Sequence, residues 1–165
     1  MTQQLLATPN GLSQIIQTFG DINKFVRSDG TIDPKWEQNM VAVPIPFSIP
    51  LSWALNTKVS SIRVHRKLAP TLAATFQAIY DRGLANLVQT YGGAYMYRPK
   101  RGSAKFSTHS WGIALDLNTA TNQMGTKGDI DPRIVGVFRE FGWKWGGDWS
   151  GVNCDPMHFQ FATGY

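Results

Sequence analysis

His109 and Asp116, joined as His109-Ser-Trp-Gly-Ile-Ala-Leu-Asp116, and the later run Asp155-Pro-Met-His158 are the residues of this chain whose types and spacing suit chemistry. Two imidazoles and a carboxylate match a zinc ion that keeps one position open for water, and a second carboxylate beside the last ligand can act as its base. The pattern points to metal-assisted hydrolysis.

Such ligands need rigid elements to hold them together, and the surrounding sequence supplies alternation. Ile113, Leu115 and Leu117 alternate with Ala114 and Asp116, which predicts a strand with one apolar face and Asp116 on the other. In Met157-His-Phe-Gln-Phe161 the apolar residues again share a face, so His158 and Gln160 are expected on the opposite one. Gly112 lies between His109 and the first strand, where a turn or bulge can redirect the imidazole to the same point. A helix is predicted after Thr8-Pro9, with Thr8 as cap and Gly20 as stop; a second opens at Pro70, with a break or kink at Gly83. Asp131-Pro132 starts a third, ended by Gly142. Residues 21 to 60 hold turn signals and the proline-spaced Val41-Ala-Val-Pro-Ile-Pro-Phe-Ser-Ile-Pro-Leu51, so an irregular, mostly extended wrap without legible function is expected. Mixed elements without a βαβ repeat predict an α+β fold, a small antiparallel sheet with flanking helices. One domain spanning 1–165 is expected, with residues 1–58 wrapping a catalytic core of 59–165.

Composition agrees with a single packed unit: 165 residues, 42% hydrophobic, with six Trp and nine Phe. The net charge of +5 fits either attraction to an anionic polymer or plain solubility, because the basic residues are scattered. No nucleic-acid partner is expected. The three prolines rule against a membrane-spanning helix in the most apolar stretch, and Met1-Thr-Gln-Gln-Leu-Leu-Ala7 lacks the features of a secretory signal. Synthesis in the cytoplasm is therefore expected. Cys154, the sole cysteine, is a weaker ligand candidate than the histidines, since side chains at successive positions diverge. His65, with no carboxylate nearby in sequence, reads as structural.

Ser107-Thr-His109-Ser-Trp-Gly112-Ile-Ala114-Leu-Asp116 resembles the S-x-H-x-x-G-x-A-x-D motif of the zinc D-Ala-D-Ala carboxypeptidase and L-alanyl-D-glutamate endopeptidase family. Trp145-Gly-Gly-Asp-Trp149 through Asp155-Pro-Met-His158-Phe is similar to its second motif. The resemblance spans roughly residues 59 to 161 and is nearest to the compact peptidoglycan peptidases of bacteriophage endolysins. It implies that His109, Asp116 and His158 bind Zn2+, that Asp155 is the general acid/base, and that the fold is the one shared with the hedgehog signalling domain. Many members carry Glu where this chain has the shorter Asp155.

Within Tyr97-Arg98-Pro-Lys-Arg101, Arg98 is the first choice for a group that polarises the scissile carbonyl or grips a substrate carboxylate, and Arg101 the second. A solvated basic loop is the plain alternative. Ser107 accompanies the zinc site in the family pattern, as a substrate contact or an orienter of a ligand. Trp111 and Trp149 flank the motifs as candidate cleft walls, although large aromatics also serve as core. Asp148 is a candidate partner for an imidazole. Asn122, Asp129 and Asp131 form an oxygen-rich loop better explained by turn chemistry than by calcium. The implied substrate is the stem peptide of peptidoglycan, cut at L-Ala–D-Glu by a monomeric endolysin that reaches the wall after release. A D-Ala-D-Ala carboxypeptidase is the rival activity, and a non-catalytic, hedgehog-like zinc module is the rival from another class.

Overall fold

The computed structural model describes residues 6–100 and 102–165, so Arg101 and residues 1–5 of the segment read for a targeting signal lie outside the described residues. Among the described residues ten α-helices and β-strands follow one another: α1 (Gly11–Phe19), α2 (Pro34–Glu37), β1 (Met40–Leu51), β2 (Ala54–His65), α3 (Ala69–Asp81), β3 (Tyr91–Gly93), β4 (Ala114–Leu117), α4 (Pro132–Glu140), β5 (Lys144–Trp145) and β6 (His158–Gln160). The strands form one six-stranded sheet in the order β2-β1-β3-β4-β6-β5. All pairings are antiparallel except β1 with β3, a single parallel bridge between Leu51 and Tyr91. This is an α+β architecture, as the mixed periodicities predict.

The proline-spaced segment departs from expectation. It is not an irregular wrap but β1, the first strand of a hairpin whose register runs from Met40 opposite His65 to Leu51 opposite Ala54. Proline removes a ladder donor, which a strand tolerates where one edge has no partner. Along most of its length β1 bonds only to β2, and the register shifts between Pro44 and Ile49, around Pro46.

The helices begin and end for local reasons. Asp131 caps α4 by accepting the Arg133 N–H, with Pro132 in the first turn, and Gly142 adopts φ +85° just past its end. For α1 the cap is Asn10 rather than Thr8, whose hydroxyl instead donates to the Gly142 carbonyl at 2.7 Å. Gly83, at φ +68°, terminates α3 instead of kinking it, leaving Leu84 and Val88 in the core beyond the helix.

α3 and α4 cover one face of the sheet. Phe76 of α3 meets Phe47 of β1 and Phe138 of α4, and Phe138 stacks on Phe159 of β6 at 4.2 Å between ring centres. With Leu115 and Leu117 also buried there, the opposite face of β4 and β6 is left for polar residues. Among the described residues no helix is long and apolar enough to cross a membrane.

A candidate metal centre in a cleft

His109 sits in a 3-10 turn, Thr108–Trp111, that precedes β4. The Ser107 hydroxyl caps this turn by accepting the His109 N–H at 3.3 Å, and Gly112 ends it at φ +67°. A side chain at Gly112 would also strike the His65 nitrogen at 2.8 Å, so glycine meets two demands there. Asp116 and His158 face each other in the antiparallel pairing of β4 with β6, which puts both on the face away from the aromatic core. Glycine matters once more at Gly92, where a Cβ would lie 3.1 Å from that of Asp116. Its absence lets β3 close against the Cβ and backbone of Asp116.

The three side chains converge. His109 Nε2 lies 3.2 Å from His158 Nδ1 and 3.3 Å from Asp116 Oδ1, and His158 Nδ1 lies 3.1 Å from the same oxygen. A tetrahedral zinc ion with bonds of about 2.0–2.1 Å spaces its ligands about 3.3–3.4 Å apart, so this triangle fits one face of such a site. Outer partners set the imidazole tautomers. His109 Nδ1 donates to the Ala94 carbonyl at 2.6 Å, and His158 Nε2 donates to Gln160 Oε1 at 3.0 Å. Both bare nitrogens therefore point at the carboxylate. Three acceptor atoms gathered this closely repel one another unless a cation lies between them.

Where no cation lies between them, a proton on an imidazole takes its place and bonds to the carboxylate. Burial alone would raise the Asp116 pKa, but its hydrogen bonds and charge interactions with His109 and His158 hold it well below the usual carboxylate range. For His158 burial acts to lower the pKa, and the bonds to Asp116 and Gln160 outweigh it, so the net direction is upward.

The centre opens into a cleft of about 310 Å3. Asp155, Arg98, Ser107 and Trp149 all line it together with Asp116 and His158. Asp155 is fixed through its backbone: its N–H donates to the Gly146 carbonyl at 2.9 Å and its carbonyl accepts the His158 N–H at 3.0 Å. Arg98 is tied to the ligand turn, since its N–H donates to Ser110 Oγ at 3.0 Å and Ser110 Oγ donates to its carbonyl at 2.8 Å. Trp149 stands 5.5 Å from the His158 ring, at the cleft wall.

Trp111, Asp148 and Met157 depart from what the sequence predicts. Trp111 is 1% exposed and lends its indole N–H to the Gly20 carbonyl at 3.0 Å, so it is core and not a cleft wall. Asp148 pairs with Arg139 at 2.7 Å on the surface and supports neither imidazole. Met157 lines the cleft instead of joining the core. Asn122 is buried and bonds within its own loop, accepting the Asp129 and Ile130 N–H groups; Asp131 is spent on the α4 cap. Cys154 bonds to the Thr126 carbonyl and is not among the clustered ligands. His65, fully inside, donates to the Phe19 carbonyl from Nε2 and accepts the Lys67 N–H at Nδ1.

Several supporting groups escaped sequence reasoning. Ala94 contributes only its carbonyl and Gly92 only its lack of a side chain, so neither carries a chemical signal. The N-terminal region has a role as well: the Trp36 indole donates to the Ser110 carbonyl at 3.0 Å and buttresses the ligand turn. Gln160, by contrast, was legible as a neighbour of His158 on the same strand face.

No curated protein matches the chain. Residues 101–161 match the family model described as D-alanyl-D-alanine carboxypeptidase, a shorter span than the motifs alone suggested and one that begins after Arg98. All three clustered side chains and Asp155 fall within it. The segment that builds this centre is thus similar to the D-alanyl-D-alanine carboxypeptidase family of peptidases.

Proposed function

We propose that the protein is a zinc-dependent peptidase that hydrolyses a peptide bond in the stem peptide of peptidoglycan, L-Ala–D-Glu, as the endolysin of a bacteriophage, acting as a monomer on the wall after release from the host cytoplasm. The observation that carries this is Asp155, a carboxylate lining the same cleft as Asp116 and His158 while taking no part in their triangle. A site serving structure alone needs no such group.

His109, Asp116 and His158 would hold the ion. Zinc bound there supplies Lewis acidity, drawing the pKa of water towards about 7 and polarising a carbonyl. Asp155 takes the proton from the attacking water and returns it to the leaving amine. Arg98 points its charge at the oxygen where negative charge develops. Trp149 shields one side of the cleft and restricts the approach of bulk water.

A second activity, release of terminal D-Ala, is favoured by the description of the matched family. Digestion of defined muropeptides followed by mass spectrometry of the new termini separates the two: free D-Ala with an intact L-Ala–D-Glu bond would overturn the endopeptidase assignment. The mechanism is tested by Asp155→Ala. Zinc content and melting temperature should match the wild type, while turnover falls by about 10²–10⁴. Undiminished lysis by this variant would remove Asp155 from the mechanism.

A further inference from the structure

The segment from Tyr97 to Ser107 carries Arg98, Lys100, Arg101 and Lys105 and no acidic residue. Elsewhere Arg63, Arg82, Arg133 and Arg139 each pair with a carboxylate. Among the described residues no carboxylate pairs with Lys100, although it lines the cleft beside Asp116 and His158. Its ammonium sits 3.9 Å from the centre of the Tyr165 ring, a contact that holds a cation in place without neutralising it. Burial and the nearby Lys105 push its pKa down, so the charged form gains from an anionic partner.

Tyr165 is itself fixed. Its hydroxyl donates to the Phe106 carbonyl at 2.8 Å, its ring meets Trp111 edge-on, and its carbonyl accepts from Gln160 Nε2 at 3.4 Å. Gln160 is the same side chain that orients His158. Lys100 is thus held in fixed relation to the metal centre, across a cleft whose acidic members, Asp116 and Asp155, would repel an anion.

We propose that Lys100, seated on the Tyr165 ring, is a carboxylate-binding subsite that holds the free carboxylate of the residue on the leaving side of the scissile bond. This rests on the peptidase assignment above. In both bonds considered, L-Ala–D-Glu and D-Ala–D-Ala, the departing residue carries a carboxylate next to its new amine. Lys100 therefore acts in substrate selection, and Arg98 is left to the carbonyl.

The test uses the zinc-loaded full chain and, for each bond, two synthetic stem peptides that differ only in carrying an acid or an amide at the departing residue. Wild type is expected to favour the acid by roughly tenfold or more, expressed in KM. Lys100→Met should collapse that preference, Lys100→Arg should keep most of it, and Tyr165→Leu should weaken it. A preference that survives in Lys100→Met, or one that wild type lacks, overturns the subsite and leaves the peptidase assignment standing. Calorimetric binding of the leaving-side product peptide to wild type and Lys100→Met needs no turnover. Lys100-dependent binding by a protein that cuts neither bond would overturn the peptidase assignment and uphold the subsite; binding unaffected by Lys100→Met counts against it.

Discussion

Gln160 shows how much of the candidate metal centre would depend on groups that never touch an ion. Its carbonyl oxygen accepts from His158 Nε2 and from the Thr108 hydroxyl, while its amide donates to the Ala162 and Tyr165 carbonyls. With both donors already committed, the oxygen must face the histidine, and that choice leaves His158 Nδ1 bare for a cation. Gln160→Leu keeps the volume but removes the acceptor, so zinc affinity should fall about 10–100-fold. Competition with a chromophoric chelator measures this, and an unchanged affinity would mean the tautomer is set elsewhere. His158→Ala should abolish binding at the site outright, read as zinc content after desalting.

Strands and turns decide which ligands meet. Asp116 pairs directly with His158 across β4 and β6, and β3 presses on Asp116 from the other side because Gly92 offers no Cβ. In Gly92→Ala the new carbon would lie 2.3 Å from Thr119 Cγ2 and 3.1 Å from Asp116 Cβ, so β3 must shift away. We expect a loss of about 1–3 kcal/mol in stability together with weaker zinc binding. Chemical denaturation and zinc titration of the same variant check both halves. This level also explains what could be read from the residues. The alternation of Leu115 and Leu117 with Asp116 placed the carboxylate on the polar face, and Asp131-Pro132 announced α4, because strand and cap signals are local. The β1–β2 hairpin was illegible, since three prolines argue against a strand until one knows that its edge is largely unpaired. Trp111 and Asp148 misled for a similar reason: the motif fixes their place in sequence, but only tertiary packing decides that one faces Gly20 and the other Arg139.

For the molecule as a whole, burial of His65, the last residue of β2, against Phe19 of α1 and Trp36 of α2 makes stability depend on acid. Desolvation lowers its pKa to about 4, opposed by its bond to the Phe19 carbonyl and assisted by Lys67 and Arg66. The unfolded chain takes up a proton near pH 6.5 that the folded chain refuses until about pH 4. Stability is therefore full above about pH 6.5 and declines as pH falls through that window, by a contribution on the order of 3 kcal/mol. Urea denaturation between pH 7 and 4 should show this slope, and His65→Gln should flatten it. Zinc held in the triangle would act in the other direction: at a free concentration about a thousandfold above its Kd it would add about 4 kcal/mol, so chelation should lower the melting temperature of the loaded protein. The opposition of Asp116 and His158 across β4 and β6 has a kinetic corollary. These strands are far apart in sequence, and such non-local pairings form slowly. The ligand triangle cannot exist until they dock, so metal capture during refolding from denaturant should proceed at the rate of that docking, independent of zinc concentration once the ion is in excess.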